Sequence, residues 1–337
     1  MLSNPVEPEY GKGRLIFMKA VILDAESLGA DVSLDSLQEH VTAFDSYAAT
    51  APEQVAERIA GKDIVIVNKV VLNEAHMIGS PELKLIAVTA TGVNNIDMAA
   101  AKKHGVEVRN VAHYGTATIV QHVFSMVLAL SNNLLRYTAA VERGDWGSAR
   151  QFCLMDYPIR ELSGKVFGVV GYGDLGRAAG AVAQAFGMEV KVGARPGTEP
   201  GVRGGVNYLP MEELLFQTDV LSLHCLLSED TRNMIGAAEL ALMKPDALLI
   251  NTARGGLVDE AALADALRNG RLGGAGFDVL TEEPPVNGNL LLAPDIPNLI
   301  ITPHCAWASR EARQRLVDKT GDNIAAFAHR EERQVRL

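Results

Sequence analysis

"VVGYGDLGRAAGAVAQAFGMEVKVGARPG", residues 169–197, reads as a strand, a glycine-rich turn, a helix and a second strand. In GYGDLG, Gly171 allows the tight turn, Gly173 lets backbone approach a pyrophosphate, and Gly176 lets the helix pack closely on the sheet. Tyr172, Asp174 and Leu175 complete that turn. The helix start offers unpaired N–H groups and a partial positive charge to the phosphates. Strand, turn and helix in this order predict a dinucleotide-binding unit rather than an isolated structural turn.

The second strand of such a unit usually ends in an acid roughly 20 residues on, which bonds the ribose hydroxyls of NAD and repels a 2′-phosphate. Here it ends in Ala194 and Arg195. Ala194 removes the repulsion, while Arg195, with Arg203 further on, offers a guanidinium fork suited to phosphate. NADP(H) is therefore the expected preference. If Arg195 is only a solvated loop charge, NAD(H) is accepted as well.

Outward from this unit, short apolar strands alternate with helical patterns along most of the 337 residues. KAVILD, IVIVNK and LKLIAVTAT precede it, with a helix around 33–40, and KVFGVVG, DVLSLHC, ALLINTA, GAGFDVL and NLIITPH form a second series. That rhythm predicts βαβ units, and the length exceeds one ordinary core, so two α/β domains are expected. Residues 116–137 carry apolar positions at helical spacing and read as a helix linking the domains, and 310–330 reads as an amphipathic helix. Residues 1–17 precede the first strand and read as a leader, a cloning remnant or a misplaced start.

A formal charge of -10 repels nucleic acid and anionic lipid alike. No apolar run reaches the roughly 18 to 20 residues of a membrane span. Cys153, Cys225 and Cys305 lack disulfide or zinc spacing, which fits a reducing cytoplasm. His113, His122 and His224 also lack metal-ligand spacing and read as structural, so no metal is expected.

Three further stretches, NTARGGLVDE (251–260), GAGFDVLTEEPP (274–285) and NLIITPHCAWAS (298–309), each follow or end a predicted strand. Ligands of open α/β sheets bind outside the carboxyl ends of strands, so Arg254, Glu283 and His304 can converge there. Singly, each reads as a surface arginine, a solvated acid before proline, and a loop imidazole. Together, after GYGDLG, these boxes resemble the D-isomer-specific 2-hydroxyacid dehydrogenase family over nearly the whole chain from Met18. NKVVL, TATGVNNID and PHCAWASREARQR are most similar to its glycerate dehydrogenase or hydroxypyruvate reductase branch.

The resemblance implies a fold of two Rossmann-like parallel-sheet domains, the NAD(P)-binding one (116–304) inserted into a substrate domain (18–115 and 305–337). It implies reduction of a small 2-oxoacid, hydroxypyruvate or glyoxylate, to D-glycerate or glycolate. His304 would give the proton as hydride reaches carbon, Glu283 would orient its imidazole, and Arg254 would clamp the 2-oxoacid. Asp278 would receive the nicotinamide carboxamide, and Thr252 and Ala253 would border the cofactor. Backbone N–H groups near Thr91 and Gly92 would hold the substrate carboxylate; Lys69 is either a further cation there or a solvated lysine. A homodimer is implied, with Trp146 in the connection that meets the partner, and Trp307 either lines the pocket or simply packs.

Two departures stand out. Leu226 occupies a place where the family usually has proline, so the family pattern does not fix the shape of the loop beside the adenosine half. Gln121 precedes His122 where an acid is common, which argues against chemistry there. Alternative readings are an NADH-dependent enzyme for lactate-like or bulkier 2-oxoacids, and a dinucleotide-sensing interaction protein on the same fold.

Overall fold

The computed structural model describes residues 17–194 and 197–335, so Arg195 lies outside the described residues. The chain forms two units: one runs to Tyr114 and resumes at Ser309, and the other is Gly115–Ala308.

In the first unit, β1 (Lys19–Ile22), β2 (Ala43–Ser46), β3 (Ile64–Val67), β4 (Leu85–Val88) and β5 (Glu107–Arg109) form a parallel sheet in the order β2-β1-β3-β4-β5. β3 and β4 read IVIV and LIAV because central parallel strands are buried on both faces. Edge strand β2 reads AFDS and is mostly exposed, which is why its sequence did not announce a strand. On one face Val65, Val67 and Ile86 pack with Val55, Ile59, Met77 and Ala101 from the helices. The helix Arg310–Val335 buries Leu316, Val317, Ile324 and Phe327. A Cβ on Gly321 would lie 2.6 Å from the Ser36 carbonyl oxygen, so glycine admits the turn Asp35–Gln38 against that helix. That single turn is all that forms of the helix expected around 33–40, since Leu37 is its one buried side chain.

The second unit holds β6 (Val166–Val170), β7 (Glu189–Gly193), β8 (Gly201–Arg203), β9 (Val206–Leu209), β10 (Val220–Leu223), β11 (Leu248–Asn251), β12 (Gly274–Phe277) and β13 (Leu299–Ile301). Their order is β13-β12-β11-β10-β6-β7-β9-β8, parallel throughout except for the antiparallel β8–β9 pair. The order reverses between β6 and β10, which places a ligand crevice outside their carboxyl ends. The helix Thr116–Ser131 lies on this sheet through Val123, Phe124, Met126 and Val127. Gly276 in β12 makes room for it: a Cβ there would sit 2.7 Å from Met126 Sδ.

The segment 116–137 is not one helix but two, Thr116–Ser131 and Leu134–Glu142, bent by 59°. Asn133 takes a left-handed φ of 49°, which asparagine tolerates, and its side-chain amide donates to the Pro158 carbonyl. The β8–β9 hairpin lies outside the strands expected from the sequence, with Gly204 and Gly205 (φ 57° and 78°) forming its two-residue connection. No single described helix is long and apolar enough to cross a membrane.

Candidate active site

The glycine turn after β6 is built as its spacing requires. Gly171 has φ 93°, and a Cβ there would come within 2.6 Å of the backbone of His224 and Cys225 beyond β10. A Cβ on Gly176 would lie 2.2 Å from the Gly171 carbonyl oxygen, so the helix Asp174–Ala185 can start only with glycine at that place. Gly173 is different: it is exposed and a Cβ there would meet nothing within 4 Å, which leaves open space over the helix N-terminus. No side chain caps that N-terminus. Its first N–H groups remain as donors for an anion.

Around this cradle, the Tyr172 ring packs edge-on to Tyr208, and Asp174 pairs with Arg177 at 2.8 Å. Leu175 is half-buried. Ala194, just past β7, donates its N–H to the Leu209 carbonyl and carries no carboxylate. The Arg203 guanidinium is committed elsewhere: it donates to the Glu199 carbonyl and stacks 5.1 Å from the Tyr208 ring centroid. Leu226 is 87% exposed, and its loop is closed by Thr231 Oγ1, which donates to the Leu226 carbonyl and accepts the Ser228 N–H. Beyond β11, Thr252 Oγ1 is buried with no hydrogen-bond partner, a state found at no other buried side-chain polar atom among the described residues. An uncapped helix start, an open glycine and an orphaned hydroxyl at strand ends together fit a dinucleotide.

Arg254 follows Thr252 and Ala253 at the carboxyl end of β11. Its side chain is exposed, donates to the Ala253 carbonyl at 2.7 Å, and forms no ion pair among the described residues. Asn251 fixes the turn by donating to the Arg254 carbonyl and accepting the Ala253 N–H. Gly255 lets this turn touch the next loop, since a Cβ there would sit 2.0 Å from the Leu280 carbonyl carbon.

Glu283 and His304 come together. His304 Nδ1 lies 2.6 Å from Glu283 Oε2, both side chains are about one-third exposed, and Glu283 Oε1 accepts the Leu280 N–H at 2.8 Å. The imidazole thus has one nitrogen engaged and Nε2 left for a reacting group. His304 itself has φ 51°, a left-handed conformation that a non-glycine residue holds only when its surroundings impose it.

Asp278 imposes it. Three consecutive N–H groups, of His304, Cys305 and Ala306, donate to its carbonyl oxygen (2.8 Å), Oδ1 (2.9 Å) and Oδ2 (2.8 Å). Thr302 Oγ1 adds a fourth bond to Oδ1 at 2.6 Å, and the residue is 1% exposed. Asp278, the residue expected to receive a carboxamide, thus also holds the loop that carries His304. The Trp307 indole N–H donates to the His304 carbonyl, which packs that ring against the same loop.

His122, read from the sequence as merely structural, places Nε2 2.9 Å from Thr302 Oγ1. His122, Asp278 and Cys305 also bring metal-capable atoms within 4.8 Å of one another, which spacing along the chain did not show. The Asp278 oxygens in that group are occupied by the donors just named. Burial and the Asp278 carboxylate push the Cys305 thiol up, away from thiolate. Burial pushes the His224 imidazole down to about 4, and its Nε2 lies 2.9 Å from Ser222 Oγ.

The remaining expected residues lie in the first unit. Lys69 stands just past β3, where Asp24 Oδ2 accepts the N–H groups of both Lys69 and Val70. Thr91 and Gly92 follow β4, and Thr91 Oγ1 donates to the Val111 carbonyl.

Residues 124–306 match the family described as D-isomer specific 2-hydroxyacid dehydrogenase, NAD binding domain. The chain is 45% identical over 309 residues to a glycerate dehydrogenase of Methylorubrum extorquens, covering 92% of this chain and 96% of that one. It is 36% identical over 314 residues to a hydroxypyruvate reductase of Blautia hydrogenotrophica, covering 92% and 97%. Among solved structures, a D-lactate dehydrogenase of Aquifex aeolicus complexed with NAD and lactic acid superposes with a TM-score of 0.78 at 27% identity, covering 94% of this chain and 98% of that one. The chain belongs to the D-isomer specific 2-hydroxyacid dehydrogenase family, in its glycerate dehydrogenase branch.

Proposed function

We propose that the protein reduces a small 2-oxoacid, hydroxypyruvate or glyoxylate, to the D-2-hydroxyacid, with NADP(H) preferred over NAD(H). The observation that carries the reading is the Glu283–His304 pair at 2.6 Å, held at strand ends of the sheet that also presents Arg254. The names of the relatives support the substrate class, and Ala194 in place of an acid supports NADP(H).

The bound dinucleotide supplies the hydride. His304, oriented through Nδ1 by Glu283, holds a proton at Nε2 for the carbonyl oxygen and takes it back in the reverse direction. Such transfer contributes about 10² to 10⁴ in rate. Arg254, with no carboxylate partner among the described residues, binds the substrate carboxylate in two-pronged fashion and draws charge toward the carbonyl oxygen. Thr252 Oγ1, Ala253 and the 171–176 turn hold the cofactor. Gly115–Ala308 is the dinucleotide-binding unit in this reading, and Thr91, Gly92 and Lys69 belong to the substrate unit. A homodimer is part of the proposal, supported by exposed Leu134, Trp146, Phe152, Met155 and Ile159 within one segment, as is a cytoplasmic location, supported by three free cysteines.

Initial rates of nicotinamide oxidation with hydroxypyruvate, glyoxylate and pyruvate, each against NADPH and NADH, test the reading. Fastest turnover of hydroxypyruvate or glyoxylate with NADPH is expected. NADH preference would overturn the cofactor assignment alone, and pyruvate preference the substrate assignment.

A further inference from the structure

We infer that His122 and Thr302 are positioning residues that, through Asp278, hold His304 in its reactive conformation. The inference rests on the reading of His304 as the proton donor.

The hydrogen-bond directions follow from what each group can do. A carboxylate only accepts, so the single hydroxyl proton of Thr302 goes to Asp278 Oδ1 at 2.6 Å. Thr302 Oγ1 then has only lone pairs left for His122, so His122 Nε2 carries a proton and donates across 2.9 Å. His122 Nε2 also lies 3.6 Å from Asp278 Oδ1 itself. The chain runs from the helix Thr116–Ser131, through the residue just past β13, to the residue just past β12.

Its end point is the carboxylate that binds the N–H groups of Cys305 and Ala306, on the same residue whose carbonyl binds the N–H of His304. At 1% exposure the carboxylate is cut off from water and depends on these donors to stay in place. Without the Thr302 proton, Oδ1 loses its 2.6 Å bond, and the carboxylate is free to turn away from the 305–306 N–H groups. His304, at φ 51°, then keeps its own N–H bonds to the Asp278 and Thr302 carbonyls but loses the anchoring of the two residues that follow it, and the imidazole drifts from its aim. Neither His122 nor Thr302 needs to touch substrate for this.

Thr302→Val keeps the shape and removes the hydroxyl; Thr302→Ser keeps the hydroxyl. Valine should lower kcat for 2-oxoacid reduction by roughly 10- to 100-fold, with NADPH affinity by calorimetry and KM each moved less than about threefold. Serine should restore kcat to within about threefold. His122→Leu should lower kcat and His122→Gln, which keeps an N–H donor, should recover part of it. The His122→Leu/Thr302→Val pair should be no worse than Thr302→Val alone, as members of one chain are not additive. Unchanged kcat in Thr302→Val, equal losses in valine and serine, or a loss carried by NADPH affinity would each overturn the inference.

Amide exchange across 304–306 reads the same cradle without turnover, and should be roughly tenfold faster in Thr302→Val; unchanged exchange also overturns the inference. A wild-type chain that reduces no 2-oxoacid, with exchange still faster in the variant, would instead overturn the role of His304 while leaving the cradle in place.

Discussion

Glu283 joins two parts of its own loop to the imidazole of His304: one oxygen lies 2.6 Å from Nδ1 and the other accepts the Leu280 N–H at 2.8 Å. The carboxylate is therefore anchored before it orients the ring. His304→Ala should lower kcat for reduction by about 10² to 10⁴ while NADPH affinity stays nearly intact. Glu283→Gln should lower kcat by about tenfold or more, as the amide anchors but carries no charge. Steady-state rates beside calorimetric NADPH binding check both; unchanged kcat in His304→Ala removes it as the proton donor.

Arg254 is exposed and has no carboxylate partner among the described residues. Lysine at that place cannot present the same two-pronged fork. Arg254→Lys should raise KM and depress kcat together, for a combined loss in kcat/KM of about 10- to 100-fold. Full activity in the variant would take Arg254 out of the clamp.

Gly255 leaves no space for a side chain beside Leu280. Gly255→Ala must part the Arg254 turn from the loop that carries Glu283, at a cost of about 1 to 3 kcal/mol. Urea unfolding should show that loss, and kcat should fall with it even though alanine touches no reactant. A variant of wild-type stability and rate would mean the two loops are not locked together.

Ala194 ends β7 without a carboxylate. Ala194→Asp should move the NADPH-to-NADH ratio of kcat/KM toward NADH by about tenfold or more, since a like charge beside a 2′-phosphate is strongly unfavourable. An unmoved ratio would put the selectivity elsewhere.

Burial lowers the His224 imidazole to about 4 in the fold. In the unfolded chain the ring takes its proton near ~6.5. The unfolded state therefore binds the proton first, and stability that is full above ~6.5 is lost as pH falls toward ~4, by at most about 3 kcal/mol. Urea midpoints from pH 7 to pH 4 should fall less steeply for His224→Gln than for the wild type. Parallel curves would clear His224 of that acid sensitivity.

What the sequence showed plainly was local. The GYGDLG turn could be read from the spacing of its glycines, and IVIV, LIAV and LLI because buried parallel strands run apolar on both faces. Arg254, Glu283 and His304 were legible as strand-end residues within the family boxes. The cradle was not, because Asp278 meets Cys305 and Ala306 across 27 and 28 residues, and His122 meets Thr302 across 180. No periodicity records such pairings. The break at Asn133 was hidden by apolar spacing that continues across it, whereas Gly204–Gly205 was a turn signal in plain view.

Asp278 binds three successive N–H groups of the His304 loop, and it belongs to the end of a strand rather than to a mobile flap. The entropy of ordering that loop is thus spent once, when the chain folds, and not again at each turnover. A reactant arriving at such an imidazole finds it already aimed, so its binding energy remains available for the reacting carbon.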